Sequence, residues 1–91
     1  MVTVIITIEV SNFLEWKIIF DANEEIRGGL GIFIKGIYIS VENADFVTVV
    51  AEAESQESFH YFFFNDKVVK KAIDNYGFKS TPVVSYYNKI G

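Results

Sequence analysis

Val2-Thr3-Val4-Ile5-Ile6-Thr7-Ile8-Glu9-Val10, running into Ser11-Asn12-Phe13-Leu14-Glu15-Trp16, is the stretch that decides the fold. Val2, Val4, Ile6, Ile8 and Val10 fall on one side, and Thr3, Ile5, Thr7 and Glu9 on the other. Alternation with period two among β-branched residues predicts a strand whose first face lies in a core and whose second is more mixed. The period then changes. Asn12 followed three residues later by Glu15 forms a capping-box-like helix start, in which each side chain can satisfy backbone donors left free by the first turn. Phe13, Trp16, Ile19 and Phe20 follow at helical spacing, and Gly28-Gly29 predicts the end of that helix. On a helical wheel, Trp16, Ile19, Phe20, Asn23, Ile26 and Arg27 share one face. Two polar residues therefore stand inside the apolar stripe.

Outward from this βα start, residues 32–41 predict a second strand with an irregularity. Ile32 and Ile34 share a face, and after Lys35-Gly36 the apolar set moves to Ile37, Ile39 and Val41. A slip of one residue at a glycine predicts a β-bulge. Glu42-Asn43-Ala44-Asp45 is a polar turn into a third strand over residues 46–54, with Val47, Val49, Ala51 and Ala53 on one face. The two strands should form an antiparallel hairpin. Ser55 can cap a second helix with a Phe59-Phe62-Phe63 stripe, interrupted near Asn65-Asp66. The stripe resumes at Val69 and Ile73 and stops at Gly77, and Pro82 opens a last strand over residues 83–90. The order β-α-β-β-α-β is that of a single α+β, ferredoxin-like domain over residues 1–91 with a four-stranded antiparallel sheet.

Composition sets further bounds. The chain of 91 residues is 51% hydrophobic and 16% aromatic, which predicts an ordered core. It is also more apolar surface than so small a body can bury alone, so an interface or a pocket is expected. The formal charge of −4 lacks the field that draws proteins to phosphate backbones or anionic lipid, so neither nucleic acid nor membrane is an expected partner. No apolar run approaches the roughly 20 residues of a membrane helix, and no basic leader opens the sequence, so a cytoplasmic location is expected. With no cysteine and one histidine, a closed zinc site would need three carboxylates, and no metal or cofactor is expected.

The segment Trp16-Lys17-Ile18-Ile19-Phe20-Asp21-Ala22-Asn23, with Arg27 and Gly31 after it, resembles the first helix of the dimeric α/β barrel superfamily, which commonly reads W-K-x-x-F-D-x-H with a later arginine and glycine. Val47-Thr48-Val49-Val50-Ala51-Glu52-Ala53-Glu54-Ser55 resembles its third strand running into the second helix. That superfamily includes antibiotic-biosynthesis-type monooxygenases, haem-degrading monooxygenases and small isomerases. The resemblance implies a homodimer in which two sheets pair face to face, with helices outside and a ligand held between sheet and helices. Asn23 stands where a histidine is common. The asparagine, tryptophan and histidine set of haem-degrading members is absent: the first strand has no asparagine, and the only tryptophan is on the first helix. Haem degradation is not expected.

The candidate site residues follow from chemistry. Asn23 and Arg27 lie at i and i+4 on the sheet-facing side of the helix. A buried guanidinium must meet a carboxylate, for which Glu52 or Glu9 are candidates, or line a polar cavity. The bland alternative is an arginine that snorkels out at the helix end. His60 belongs to the one side-chain type that titrates near neutrality, making it the candidate for proton transfer; its place beside the Phe59-Phe62-Phe63 stripe fits a surface residue equally. No nucleophile is placed beside it. The aromatic run from Phe59 to Phe64 points almost all round a helix, as core, as interface or as a ligand wall. Trp16 is core or pocket lining, with Tyr38 and Tyr86 next in rank as ligand contacts. Lys35-Gly36-Ile37-Tyr38-Ile39-Ser40-Val41 faintly echoes an RNA-recognition signature without its stacking aromatics. Gly28-Gly29-Leu30-Gly31 follows a helix and precedes none, so it cannot present helix amides to a phosphate. Two readings stand: a small-molecule binder or cofactor-independent monooxygenase- or isomerase-like domain taking a small apolar or aromatic ligand, and a non-catalytic structural or interaction homodimer.

Overall fold

The computed structural model describes residues 1–65, 79 and 81–91. The expected interruption at Asp66 and the stripe through Val69 and Ile73 to Gly77 lie outside them. The elements are β1 (Val2–Glu9), α1 (Phe13–Ala22), α2 (Glu24–Gly29), β2 (Phe33–Ile39), β3 (Phe46–Ala53), α3 (Gln56–Asn65) and β4 (Val83–Tyr87). The four strands form one sheet in the order β2-β3-β1-β4, with every neighbouring pair antiparallel. This is the α+β, ferredoxin-like arrangement.

The alternation in β1 does what its period demands. Val4, Ile6, Ile8 and Val10 are buried, as are Val47, Val49, Ala51 and Ala53 of β3. Against this face pack Trp16 and Phe20 of α1 and Phe59 of α3. Each fully buried large apolar side chain contributes about 1.5–3 kcal/mol, so this layer of helices on sheet supplies most of the stabilisation. The bulge predicted at Lys35-Gly36 is present: the β2–β3 register shifts between Ile34 and Gly36, which keeps Ile34 and Ile37 both against the core.

The sheet's other face carries no helix among the described residues. Ile5 pairs with Val50 and Ser85, Thr7 with Thr48 and Val83, and Thr3 with Glu52 and Tyr87. On the same face Phe33 stands opposite Glu52 and Tyr38 opposite Thr48. The Tyr38 ring lies across Gly36, where an added Cβ would meet it at 2.7 Å. Phe33, Tyr38, Phe46, Val83 and Tyr87 are all exposed here.

The first helix differs from its expected form. Asn12 caps it as predicted, its Oδ1 accepting from the Glu15 N–H at 3.0 Å. The helix then breaks at Asn23, whose Nδ2 donates to the Ile19 carbonyl at 2.8 Å. An asparagine side chain that binds local backbone competes with the helical ladder, and the chain restarts as the short α2. Its end is also shifted. Gly28 and Gly29 are helical, and Gly31, at φ +72°, takes the left-handed position. The Gly31 N–H donates to the Gly28 carbonyl and the Ile32 N–H to the Arg27 carbonyl, a Schellman closure that needs glycine at that one residue. Ser55 caps α3, accepting from the Ser58 N–H at 3.1 Å.

Candidate functional site

The restart at Asn23 turns α2 across the inner side of β2 and opens a cleft of about 500 Å³ at that edge of the sheet. Ile32, Ile34 and Ile37 give it an apolar floor, Phe20 and Arg27 stand on the helix side, and Asp21, Glu24 and Lys35 line its rim. The volume lies in the range of small-molecule sites, and the lining is as polar as it is apolar.

Arg27 is the best-defined polar group there. Its guanidinium carbon lies 3.7 Å from the centre of the Phe20 ring, a cation–π stack. Its Nη1 donates to the Phe20 carbonyl at 2.6 Å, which also accepts from the Asn23 N–H at 3.2 Å. Neither carboxylate proposed from sequence meets it. The pleat sends Glu9 and Glu52 to the opposite face, where Glu52 Oε1 lies 3.6 Å from Lys35 Nζ. Asp21, on the rim, is already bound by Lys17 Nζ at 2.7 Å.

The remaining sequence candidates are spread around the domain. Asn23 is half-buried, and its amide is engaged with Ile19. Trp16 is 1% exposed and stacks on Phe20 at 4.9 Å between ring centres, with Phe13 at 5.9 Å. Tyr86, on the helix-facing side of β4, meets Phe59 edge-on at 6.1 Å. Both carry a buried polar atom that no described group answers: Trp16 Nε1 and Tyr86 Oη. Burial pushes the Tyr86 phenol above its ordinary pKa, so it keeps its proton and remains a donor. Tyr38 lies on the uncovered sheet face, and His60 is exposed on α3. The structure thus brings Arg27 to the cleft and sets Trp16 and Tyr86 in the layer between helices and sheet. Asp21, Glu24 and Lys35 were not singled out in the sequence, because isolated charges at helix ends and strand edges read as solvated surface.

Among the described residues, no three acidic or histidine side chains gather as a metal site. No helix among them is long and apolar enough to cross a membrane.

No family model matches the chain, and no curated protein matches it by sequence. Solved structures do match. A protein provisionally named antibiotic biosynthesis monooxygenase from Bordetella bronchiseptica superposes with a TM-score of 0.82 at 16% identity, over 98% of this chain and 96% of that one. Another of the same provisional name, from Caulobacter crescentus CB15, gives 0.70 at 16% identity over 99% and 90%. A dimeric ferredoxin-like protein from an uncultured marine organism gives 0.57 at 12% identity over 100% and 96%. At such identity the likeness establishes the fold, which the resemblance in the first helix and third strand implied.

Proposed function

We propose that this chain is a homodimeric small-molecule protein that holds an apolar or aromatic ligand in the cleft between β2 and the α1–α2 pair, with chemistry of the cofactor-independent monooxygenase or isomerase kind. One observation carries the reading: a guanidinium fixed by a ring stack and a carbonyl bond at a cleft of about 500 Å³ with an isoleucine floor and a charged rim. A group positioned before the ligand arrives costs little further ordering on binding. A planar guanidinium suits a carbonyl, enolate or carboxylate oxygen. Chemistry without a cofactor asks the protein mainly to stabilise negative charge developing on such an oxygen while excluding water. Arg27 would do the first, and the isoleucine floor the second. Trp16, Tyr86 and His60 stand outside this cleft, with Tyr86 on β4 at the opposite edge of the sheet, so the reading rests on Arg27.

The homodimer is proposed from the uncovered sheet face. Phe33, Tyr38, Phe46, Val83 and Tyr87 are exposed there in a single copy, an apolar patch of the kind that marks an interface. The marine neighbour is described as dimeric, which supports self-association.

A thermal-shift screen of small aromatic and carbonyl compounds tests the ligand reading. A ligand at a hundred times its dissociation constant stabilises the native state by about 2.7 kcal/mol. Compounds that raise the melting temperature of the wild type and lose that effect in Arg27→Ala are expected. A screen with no stabilising compound, or with hits equally effective on Arg27→Ala, overturns it. The competing structural-homodimer reading is favoured by Asn23, whose amide turns back to Ile19, and by the Phe13-Trp16-Phe20 stack filling the layer under α1. It predicts an empty screen.

A further inference from the structure

Helix α1 carries apolar side chains on two opposite sides. Trp16 and Phe20 are buried against the sheet. Leu14 and Ile18, each two residues earlier, lie about 200° away round the helix and are 72% and 70% exposed. Ala22 extends the row by the next i+4 step and is exposed too. A surface helix normally presents one apolar stripe to its core and a polar face to water. The inner stripe of α1 is supplied by Phe13, Trp16 and Phe20, and the outer row stands apart from the core. Rows at i, i+4 are the ridges by which one helix seats in the grooves of another.

Charge says what can cover the row. Lys17, the one cation of α1, is held by Asp21 at 2.7 Å. Glu15, in the first turn, and Glu25, at the start of α2, are exposed and make no ion pair among the described residues. The row therefore carries uncompensated negative charge near both of its ends, in a chain of net charge −4. A second copy stacked there about a two-fold axis would bring acidic helices together, and an anionic lipid surface would be repelled likewise. We propose that the outer face of α1 docks a basic amphipathic helix of a different protein. Its apolar residues would lie against Leu14 and Ile18, and its lysines or arginines toward Glu15 and Glu25. This surface uses neither Arg27 nor the floor of the cleft, so its test is separate from that of the ligand reading.

The probe is a fluorescent peptide of about 15 residues, long enough to form a helix on the surface, with leucine at i, i+3, i+4 and i+7 and lysine elsewhere. A control peptide has glutamate in place of lysine. Anisotropy titrations over a salt series measure both. The lysine peptide is expected to bind saturably and to weaken as salt rises, and the glutamate peptide to bind about tenfold or more weakly. Ile18→Ser and Leu14→Ser, both at exposed positions, should each weaken the lysine peptide about tenfold, the loss of a central anchor, with the circular dichroism spectrum unchanged. Glu15→Gln combined with Glu25→Gln should flatten the salt dependence. Tyr38→Ser, on the uncovered sheet face, should leave binding as it is. Absence of saturable binding, equal binding of the two peptides, or binding indifferent to both serine variants overturns the proposal. Binding lost in Tyr38→Ser puts the peptide on the sheet face and overturns it as well. So does self-association of the free protein that Ile18→Ser abolishes in sedimentation, because a second copy would then be the occupant.

Discussion

Tyr86→Phe isolates one feature of the layer between helices and sheet. The Tyr86 ring packs on Phe59 at 6.1 Å, and its hydroxyl is buried with no partner among the described residues. Phenylalanine keeps the ring and removes an orphaned polar group, whose desolvation typically costs about 1–3 kcal/mol. The lower end applies, since the ring as a whole is only partly buried. Tyr86→Phe is therefore expected to stabilise the free protein by about 1 kcal/mol. For a domain of this size that raises the melting temperature by about 4–8 °C, measured at fixed protein concentration so that any self-association is held constant. The effect should grow in alkali. Burial raises the phenol's pKa in the folded state, so folded and unfolded chains bind the same proton below the unfolded value. Above it the unfolded chain ionises first, and stability is lost as pH rises through the folded value. Phenylalanine has nothing to lose, and its advantage over wild type widens across that window. A variant less stable than wild type by 1 kcal/mol or more, or an advantage that shrinks with rising pH, would refute the claim that this hydroxyl is unanswered in the empty protein.

Other expectations follow from single positions. Gly31→Ala, at the left-handed closure of α2, should cost about 1–2 kcal/mol, whereas Gly29→Ala, whose Cβ meets nothing within 4 Å, should gain about 0.5 kcal/mol; urea midpoints of the two variants should move in opposite directions. Phe59→Ala removes a buried ring from the core and should cost about 3–5 kcal/mol, read as lost cooperative unfolding or a much lower urea midpoint. Val50→Lys, on the uncovered face beside Ile5, should leave the circular dichroism spectrum intact and move the sedimentation coefficient from dimer to monomer.

The sheet was legible because its signals are local and binary. The alternation of Val2 through Val10, the slip at Lys35-Gly36 and the capping residues Asn12 and Ser55 each report a conformation that neighbouring residues dictate. The helix break was not legible. A wheel treats Asn23 as one more position on a face, whereas its amide competes with the backbone for the Ile19 carbonyl and divides the helix. Gly31 was overshadowed by the Gly28-Gly29 pair, since three glycines in four residues do not say which one turns left-handed. Arg27 stands in the apolar stripe as a charge that needs partners. Its contacts with the Phe20 ring and carbonyl follow from the fold around the helix break, and the pleat sends Glu9 and Glu52 to the other face. The rim of Asp21, Glu24 and Lys35 depends on β2 crossing beneath α2, a tertiary juxtaposition that no spacing encodes.

The central claim is a ligand cleft beneath Arg27, and protein-observed nuclear magnetic resonance with a library of small aromatic and carbonyl fragments tests it most directly. The account predicts that binding fragments shift the Arg27 Nε–H signal and the amides of Ile34 and Ile37 together, with changes that saturate at one fragment per chain. Fragments that shift only residues of the uncovered sheet face, such as Thr7, Thr48 and Tyr38, or a library that leaves Arg27 unmoved, would contradict it.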